Sequence, residues 1–444
     1  MTLQFIPHWH SKPGYPREEK VTGAHIKVAV NGTGLTNFVR NQDSGSDEPG
    51  SAPYLSAYPL ATWLAWNWWR LRWEPRYDGA FKNSKWLGAH NMQRAGAGFV
   101  WPDITFACDG WRMLVVAKST PEHPGRPIRY VTDNISLITA DSFENSADEL
   151  FDATISKLRE YSIMDTELHE CVEELRAERD DEELSKYRRL EAMLGHDPDD
   201  GDERIVSRLI ADIENMTESA IHELAALGAS NKRIPSIDEL RALAKKSGFS
   251  SNLADTVTPL GESELPQYGA GPAWERGVAA ARALRERERL GSDEPLDDRR
   301  LAEMAGVSVQ ALQHLERASE FAYAIAMEGD ERRIVQRSKW STGRRFDIAR
   351  LIGDRVAIQG ELPLRTATWM STYRQQLQKA FAAELLAPIE AVDAFLAGQY
   401  DEERQQEAAD QFMVSPMLIN SLLKNNNKIE RSEYEALDFL PTAA

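Results

Sequence analysis

Histidine is scarce in this chain and stops early: nine occur in 444 residues, and none follows His314. Whatever chemistry the last quarter performs, imidazole takes no part in it. Cysteine is scarcer still. Cys108 and Cys171 are the only two, which excludes a disulfide framework and a cysteine-based metal site. No apolar run reaches the roughly 18–20 residues that cross a membrane. The opening "MTLQFIPHWHSKPGYPREEK" lacks the basic start and apolar block of a signal peptide, so a cytoplasmic protein of bacterial style is expected. Bulk positive charge is also missing. A net charge of −18 excludes a generic nucleic-acid coat while leaving room for a local basic patch. No segment repeats with a fixed period. What remains is ordinary globular composition, 42% hydrophobic and 27% charged, in a chain too long for one core.

The composition predicts an α+β multidomain protein with four regions. Residues 1–140 hold nine of the twelve tryptophans. There, β-prone runs ("HIKVAV", "DITFAC", "WRMLVV", "IRYVT") alternate with turn signals. One helix, "SAYPLATWLAWNWWRLRWEP", carries Leu60, Trp63, Leu64, Asn67 and Leu71 on one stripe and Trp66, Trp69 and Trp73 on another. A helix apolar on two sides is expected between a sheet and a second layer. Residues 141–257 read as an acidic helical connector, an exposed hairpin laced by intrahelical ion pairs. Residues 258–320 begin in a Gly/Pro-rich loop and contain a helix, a Gly306-Val307-Ser308 turn and a second helix, with Asp297 and Ser308 as N-caps. Residues 321–444 close the chain.

That last region contains "RRFDIARLIGD" (344–354), "QQLQKAFAAELLAP" (375–388) and "AADQFMVSPMLINSLLKNN" (408–426). In order and separation these blocks resemble the ImmA/IrrE-type metallopeptidases over about Arg344 to Asn426. Phe381, Ala382, Leu385, Leu386, Pro388, Phe412, Val414 and Ser415 fall on the family's packing positions, so Phe346, Leu385 and Leu386 are expected in the core. The resemblance implies an HExxH helix with two zinc-ligating histidines and a glutamate base, then a carboxylate ligand on the next helix. Here the first histidine corresponds to Arg350, the glutamate to Leu351, the second histidine to Asp354, and the carboxylate to Gln375, or to Gln376 if the register slips by one. Arginine has no lone pair to offer a metal, and without the glutamate nothing takes the proton of an attacking water. The resemblance therefore implies a pseudo-metallopeptidase without metal or cofactor. Arg350 and Asp354, four apart on one helix face, are expected to pair where zinc would have tied the helices, with Gln375 bonded to either.

Other signals are weaker. "IHELAAL" holds His222 and Glu223 without a second histidine and reads as a surface pair. "HECVEE", with His169 and Cys171, has the same defect. "DPDDGDE" (197–203) reads as an acidic linker. The Gly306 unit resembles the helix-turn-helix of XRE-type repressors, with Gln310 and Gln313 as candidate base readers. Between Glu331 and Ala380 eleven Lys/Arg face four Asp/Glu, a local charge of +7. Arg332, Arg333, Arg337, Lys339, Arg344 and Arg345 are the candidates there for binding nucleic acid or a partner. Function is thus expected to lie in binding: an inert regulatory or scaffold protein with a protein partner. By resemblance this belongs to stress response, toxin–antitoxin or phage-defence settings. The alternatives are a DNA-binding transcription regulator, or a hydrolase with His90, Asp103 and Asp109 in the N-terminal domain.

Overall fold

The computed structural model describes residues 2–40, 48–122, 128–230, 232–252, 256–313, 319–327, 331–360 and 362–430. It is α+β, and the chain divides into two compact units, Met1–Ser207 and Arg208–Ala444. The four regions expected from sequence therefore group as two. The helices of the acidic stretch up to Ala192 share a core with the N-terminal strands, and residues 257–423 share another.

The first unit runs β1 (Leu3–Trp9), α1 (Arg17–Val21), β2 (Gly23–Val30), β3 (Thr33–Gly34), β4 (Phe38–Arg40), β5 (Glu48–Gly50), β6 (Tyr54–Ser56), α2 (Ala57–Trp66), α3 (Trp68–Trp73), α4 (Ser84–His90), β7 (Asp103–Cys108), β8 (Arg112–Lys118), β9 (Ile128–Tyr130), β10 (Asn134–Thr139), α5 (Ala140–Glu160), α6 (Glu167–Asp180) and α7 (Glu182–Met193). Its sheets are small and antiparallel: β1-β2-β3 with β6 beside β2, β5-β4-β9, and β10-β8-β7. The tryptophan helix is broken in two. The Asn67 side chain donates to the Trp63 carbonyl at 2.8 Å, offering the backbone a local alternative to the helical ladder. The break turns Trp68 and Trp69 inward and leaves Trp66 54% exposed. As expected for a helix apolar on two sides, α2 and α3 lie between strands β2 and β7 and helices α5–α7. The exposed acidic hairpin is not found. Thr139 caps α5, and Phe143, Leu150, Phe151 and Leu158 bury one face of it in the core.

Helix α8 (Glu203–Asn215) spans the division. The second unit continues with α9 (Glu218–Ala226), α10 (Ile237–Ser247), β11 (Phe249–Asn252), α11 (Ala273–Arg287), α12 (Asp298–Met304), α13 (Gln310–Gln313), β12 (Ala322–Ala326), β13 (Glu331–Val335), α14 (Ser341–Ala357), β14 (Leu364–Ala367), α15 (Tyr373–Leu386), α16 (Ile389–Leu396), α17 (Glu402–Phe412) and α18 (Pro416–Asn425). Its antiparallel sheet has the order β11-β13-β12-β14. Side chains alternate across it. Ala322 and Ala324 join the core that holds α14, while the Tyr323 hydroxyl on the other face donates to the Leu240 carbonyl of α10. Helices α11, α14 and α15 pack closely because two glycines allow it. A Cβ on Gly353 would stand 2.5 Å from the Phe381 ring, and one on Gly277 would stand 2.4 Å from the Leu377 carbonyl.

Leu385 and Leu386 are fully buried, and Phe346 is half-buried at the rim of the core. Asp297 caps α12, and Gly306 makes the following turn at φ +62°, where a Cβ would meet the Asn252 carbonyl at 2.6 Å. Gln310 and Gln313 on α13 are exposed, and the rest of the second helix expected after Ser308, from residue 314 to 318, lies outside the described residues. No described helix is long and apolar enough to cross a membrane.

Candidate functional site

Helix α14 is buried on nearly every side, which an amphipathic reading of its polar residues does not anticipate. Ile348, Leu351 and Ile352 face the sheet and line a cavity of 40 Å³ with Ala324 and Ile334. Asp347, Arg350 and Asp354 share a different stripe and are all 2% exposed or less. Across from them α15 is capped by Thr372, whose hydroxyl oxygen accepts from the Gln375 backbone N–H and so sets the helix in place. The first turn of α15 then presents Arg374 and Gln375, and the second presents Gln378.

Asp354 is the best-held residue of the cluster. Its Oδ1 accepts from Arg374 Nε at 2.6 Å and Gln378 Nε2 at 2.7 Å, and its Oδ2 from Arg374 Nη2 at 2.6 Å and Arg365 Nη1 at 2.9 Å. Burial alone would raise its pKa, but the two guanidinium groups and the Gln378 amide bring it down to about 2. Arg350 does not pair with Asp354. Its Nη2 donates to Gln375 Oε1 at 2.5 Å and to the Thr368 carbonyl at 2.6 Å, both uncharged. Burial accordingly pulls its pKa down to about 10.

Gln375 is shared four ways. Its Oε1 accepts from Arg350 and from Thr368 N at 2.8 Å, and its Nε2 donates to Thr366 O at 3.0 Å and to Glu223 Oε2 at 2.7 Å.

Glu223 is the member that sequence reasoning missed. His222 and Glu223 do not form the surface pair expected: His222 is half-buried and lies 3.4 Å from Glu218, and Glu223 is interior. Glu223 is 4% exposed, accepts the Thr372 hydroxyl at 2.8 Å as well as the Gln375 amide, and has its pKa raised by burial. A lone glutamate among alanines and leucines was the available signal. Its partner lies too far along the chain for spacing to show it.

The structure thus brings Arg350, Asp354 and Gln375 into one cluster and leaves Leu351 out, facing the sheet. Gln376 turns away to the Ser371 carbonyl at 2.9 Å. This donor set does not fit zinc. Arg350 has no lone pair, both oxygens of Asp354 are taken by cations, and the Gln375 carbonyl oxygen already accepts two hydrogen bonds.

The basic stretch is mostly interior, contrary to its reading as a binding surface. Arg332 is buried and donates to the Leu362 carbonyl at 2.9 Å. Arg344 donates to the Leu312 and Lys339 carbonyls, both at 2.6 Å, and Arg345 bonds Asp298 and the Leu296 carbonyl. Arg333 pairs with Glu331 at 2.7 Å and Arg337 with Asp347 at 3.1 Å. Of the six, Lys339 alone is exposed, beside Trp340, which is 68% exposed. Guanidinium groups here clamp carbonyls and carboxylates inside the unit.

The alternative N-terminal site does not assemble. His90 is 0% exposed, with Nε2 at 3.0 Å from Glu74, Nδ1 at 2.9 Å from the Phe106 carbonyl and its ring stacked on Trp86 at 3.9 Å. Asp103 accepts from Asn91 at 2.6 Å and stands opposite Lys118 in the β7–β8 register. Asp109 closes the turn beyond the far end of β7, accepting from the amides of Trp111 and Arg112. Six residues of extended strand separate the two aspartates by about 20 Å. Comparison with family models, with curated proteins and with solved structures gave no match.

Proposed function

We propose that this is a catalytically inert regulatory or scaffold protein that acts by binding a macromolecular partner, and that its second unit is an ImmA/IrrE-like domain whose metal centre has been replaced by hydrogen-bonded charge. One observation supports this most. The positions that correspond to the family's ligands, Arg350, Asp354 and Gln375, are buried together in a network that joins α14, α15 and β14. A structural ion network performs the tying role of a metal without its Lewis acidity or its activated water. Selection that keeps the scaffold while filling the site favours a surface function, and the resemblance is what supports a setting in stress, toxin–antitoxin or phage-defence control. A second reading, a DNA-binding regulator, rests on exposed Gln310, Gln313, Lys339 and Trp340, with Arg344 bonding the carbonyls of both Leu312 and Lys339, and would show as a salt-sensitive gel shift.

The inert reading is tested by elemental analysis of the purified chain, which is expected to carry far less than one zinc. About one zinc per chain, lost on Asp354→Asn, would overturn it. Capture of a protein partner from the host is the matching positive test.

A further inference from the structure

The turn that joins α5 to α6 is closed by its own hydrogen bonds yet shows apolar side chains to solvent. Ser162 ends α5 in the left-handed region at φ +57°, and the amides of Ser162 and Ile163 bond back to the carbonyls of Arg159 at 2.9 Å and Leu158 at 3.1 Å. Ile163, 2% exposed, anchors this cap in the core. The residues on either side of the anchor turn outward, Tyr161 to 49% exposure and Met164 to 60%. Trp66, exposed by the break at Asn67, comes to the same place: its Nε1–H donates at 3.0 Å to Oε1 of Glu167, three residues beyond Met164. Among the large apolar side chains described in the first unit, only Trp111 is as exposed as these three. Such residues scattered singly need no explanation, whereas three at one hydrogen-bonded turn mark a contact surface.

The charge around them has one sign. From Lys157 to Glu174 six carboxylates stand against two cations, and all six are exposed. Lys157, one of the two cations, is already bonded to Glu160 at 2.5 Å. The field reaches Cys171, whose half-buried thiol is pushed up to about 11 by burial and by Glu167, Glu174 and Glu170. Lys157 also shows how this surface holds a cation. Its Nζ lies 5.5 Å from the centre of the Tyr161 ring and 6.0 Å from that of Trp9, with the Glu160 carboxylate as counterion. Trp66 beside Glu167 offers the same combination of ring and carboxylate to an incoming side chain. A second copy docked about a two-fold axis would set the acidic ring against itself, and a nucleic acid or an anionic membrane would bring negative charge to it. A basic segment is favoured by both the rings and the carboxylates.

We propose that the α5–α6 turn, together with Trp66, is a docking surface for a basic amphipathic segment of a partner protein. Its apolar residues seat on Trp66, Tyr161 and Met164, and its lysines or arginines meet the carboxylates of Glu167 and Glu170. This rests on the binding function proposed above and gives that function a site in the first unit.

A fluorescein-labelled amphipathic helical peptide, with lysine and arginine on one face and leucine on the other, tests it by anisotropy on the full chain. The wild type should bind the peptide, and Tyr161→Ser with Met164→Ser should weaken binding by about tenfold or more. Glu167→Gln with Glu170→Gln keeps an oxygen for Trp66 Nε1, and should weaken binding comparably and flatten its salt dependence. Glu182→Gln with Glu183→Gln, the same charge change on exposed carboxylates of α7, should leave binding unchanged. All three double variants should melt with the wild type, since the side chains replaced are exposed. No binding by the wild type, or equal weakening by the α7 variant, overturns the surface. So does wild-type affinity in the Tyr161→Ser, Met164→Ser variant. Self-association, or retention of a DNA duplex or of phosphatidylserine vesicles, that this variant loses would name a different occupant and overturn the basic partner. Capture of one host protein equally by the wild type and this variant keeps the binding function and sinks only the surface. Peptide binding as expected, with no host protein captured, sinks the binding function and leaves the surface standing.

Discussion

The two units solve one problem with opposite signs. In the acidic stretch of the first unit the hub of the buried network is an arginine. Arg188 donates to Glu178 at 2.6 Å, to Glu191 at 2.7 Å and to both oxygens of Asp199 at 2.8 and 2.9 Å. In the basic stretch of the second unit the hub is an aspartate, with Arg374 and Arg365 gathered on Asp354. A run of like charge in sequence looks like a solvated face. Here each run supplies several ligands to one buried residue of the minority sign, and that residue decides where the run goes. The difference lies in what the ligands can do without their hub. Glu178 keeps a second bond, from Trp69 Nε1 at 2.6 Å, and the Asp199 side chain is 78% exposed. Arg374, by contrast, is buried, and among the described residues its ion pair is with Asp354.

That asymmetry sets the largest expected effect. Asp354→Ala leaves two buried guanidinium groups facing each other and should cost about 3–5 kcal/mol of the second unit's stability. Arg188→Met should cost the first unit less, about 3 kcal/mol, since Glu178 keeps its tryptophan and Asp199 its water and only Glu191 is left buried without a cation. Denaturant melts followed by exchange in peptides of each unit would separate the two. Equal losses, or a larger loss for Arg188→Met, would mean that the sign of the hub does not matter.

Much of the scaffold was legible in the sequence, and the failures share a cause. Packing positions such as Leu385 and Phe412 were expected through the resemblance and are buried, while caps such as Asp297 are local, so the residue pattern shows them. The short β-prone runs near the N-terminus became strands for the same reason. The break at Asn67 was not foreseen, because it depends on one side chain competing with the helix backbone. The charge runs were read as surface because a charged residue's partner is invisible at a distance. Glu223 meets Thr372 and Gln375 across separations of 149 and 152 residues. Arg344 and Arg345 likewise bond carbonyls on other elements, which carry no sequence signature at all.

Within the second unit the same contrast recurs between two carboxylates, and pH resolves it. Asp354 has its pKa lowered from 3.8 to about 2, so its contribution is present above the higher value and lost as pH falls through the lower one. The difference corresponds to about 2 kcal/mol, disappearing between roughly pH 4 and pH 2. Glu223 goes the other way. Burial raises its pKa above 4.5, so its share is present below that pH and lost as pH rises through the folded value. Subtracting the pH–stability curve of Asp354→Asn from that of the wild type should leave the acid-side loss. A flat difference curve below pH 4 would show that the aspartate is not the hub.

The smallest effects distinguish interior arginines from true surface in the basic stretch. Arg332 and Arg333 are neighbours on β13, and alternation sends their side chains to opposite faces of the sheet. Arg332 is 8% exposed and holds the Leu362 carbonyl, whereas Arg333 is half-buried and bonds Glu331 and the Gly248 carbonyl. Reversing Arg332 to Glu should therefore lower the melting temperature well beyond the effect of reversing Arg333. Lys339 lies at the far end of the scale. Its Nζ sits 5.1 Å from the centre of the exposed Trp340 ring, a cation–aromatic contact worth about 0.5–1 kcal/mol at such a site. Lys339→Glu should change stability by no more than that. If a partner or nucleic acid docks on this edge, the same variant should weaken association and flatten its salt dependence without touching the melt. Lys339→Glu melting as early as Arg332→Glu would place the lysine inside the unit and remove the last exposed cation of the six from any binding surface.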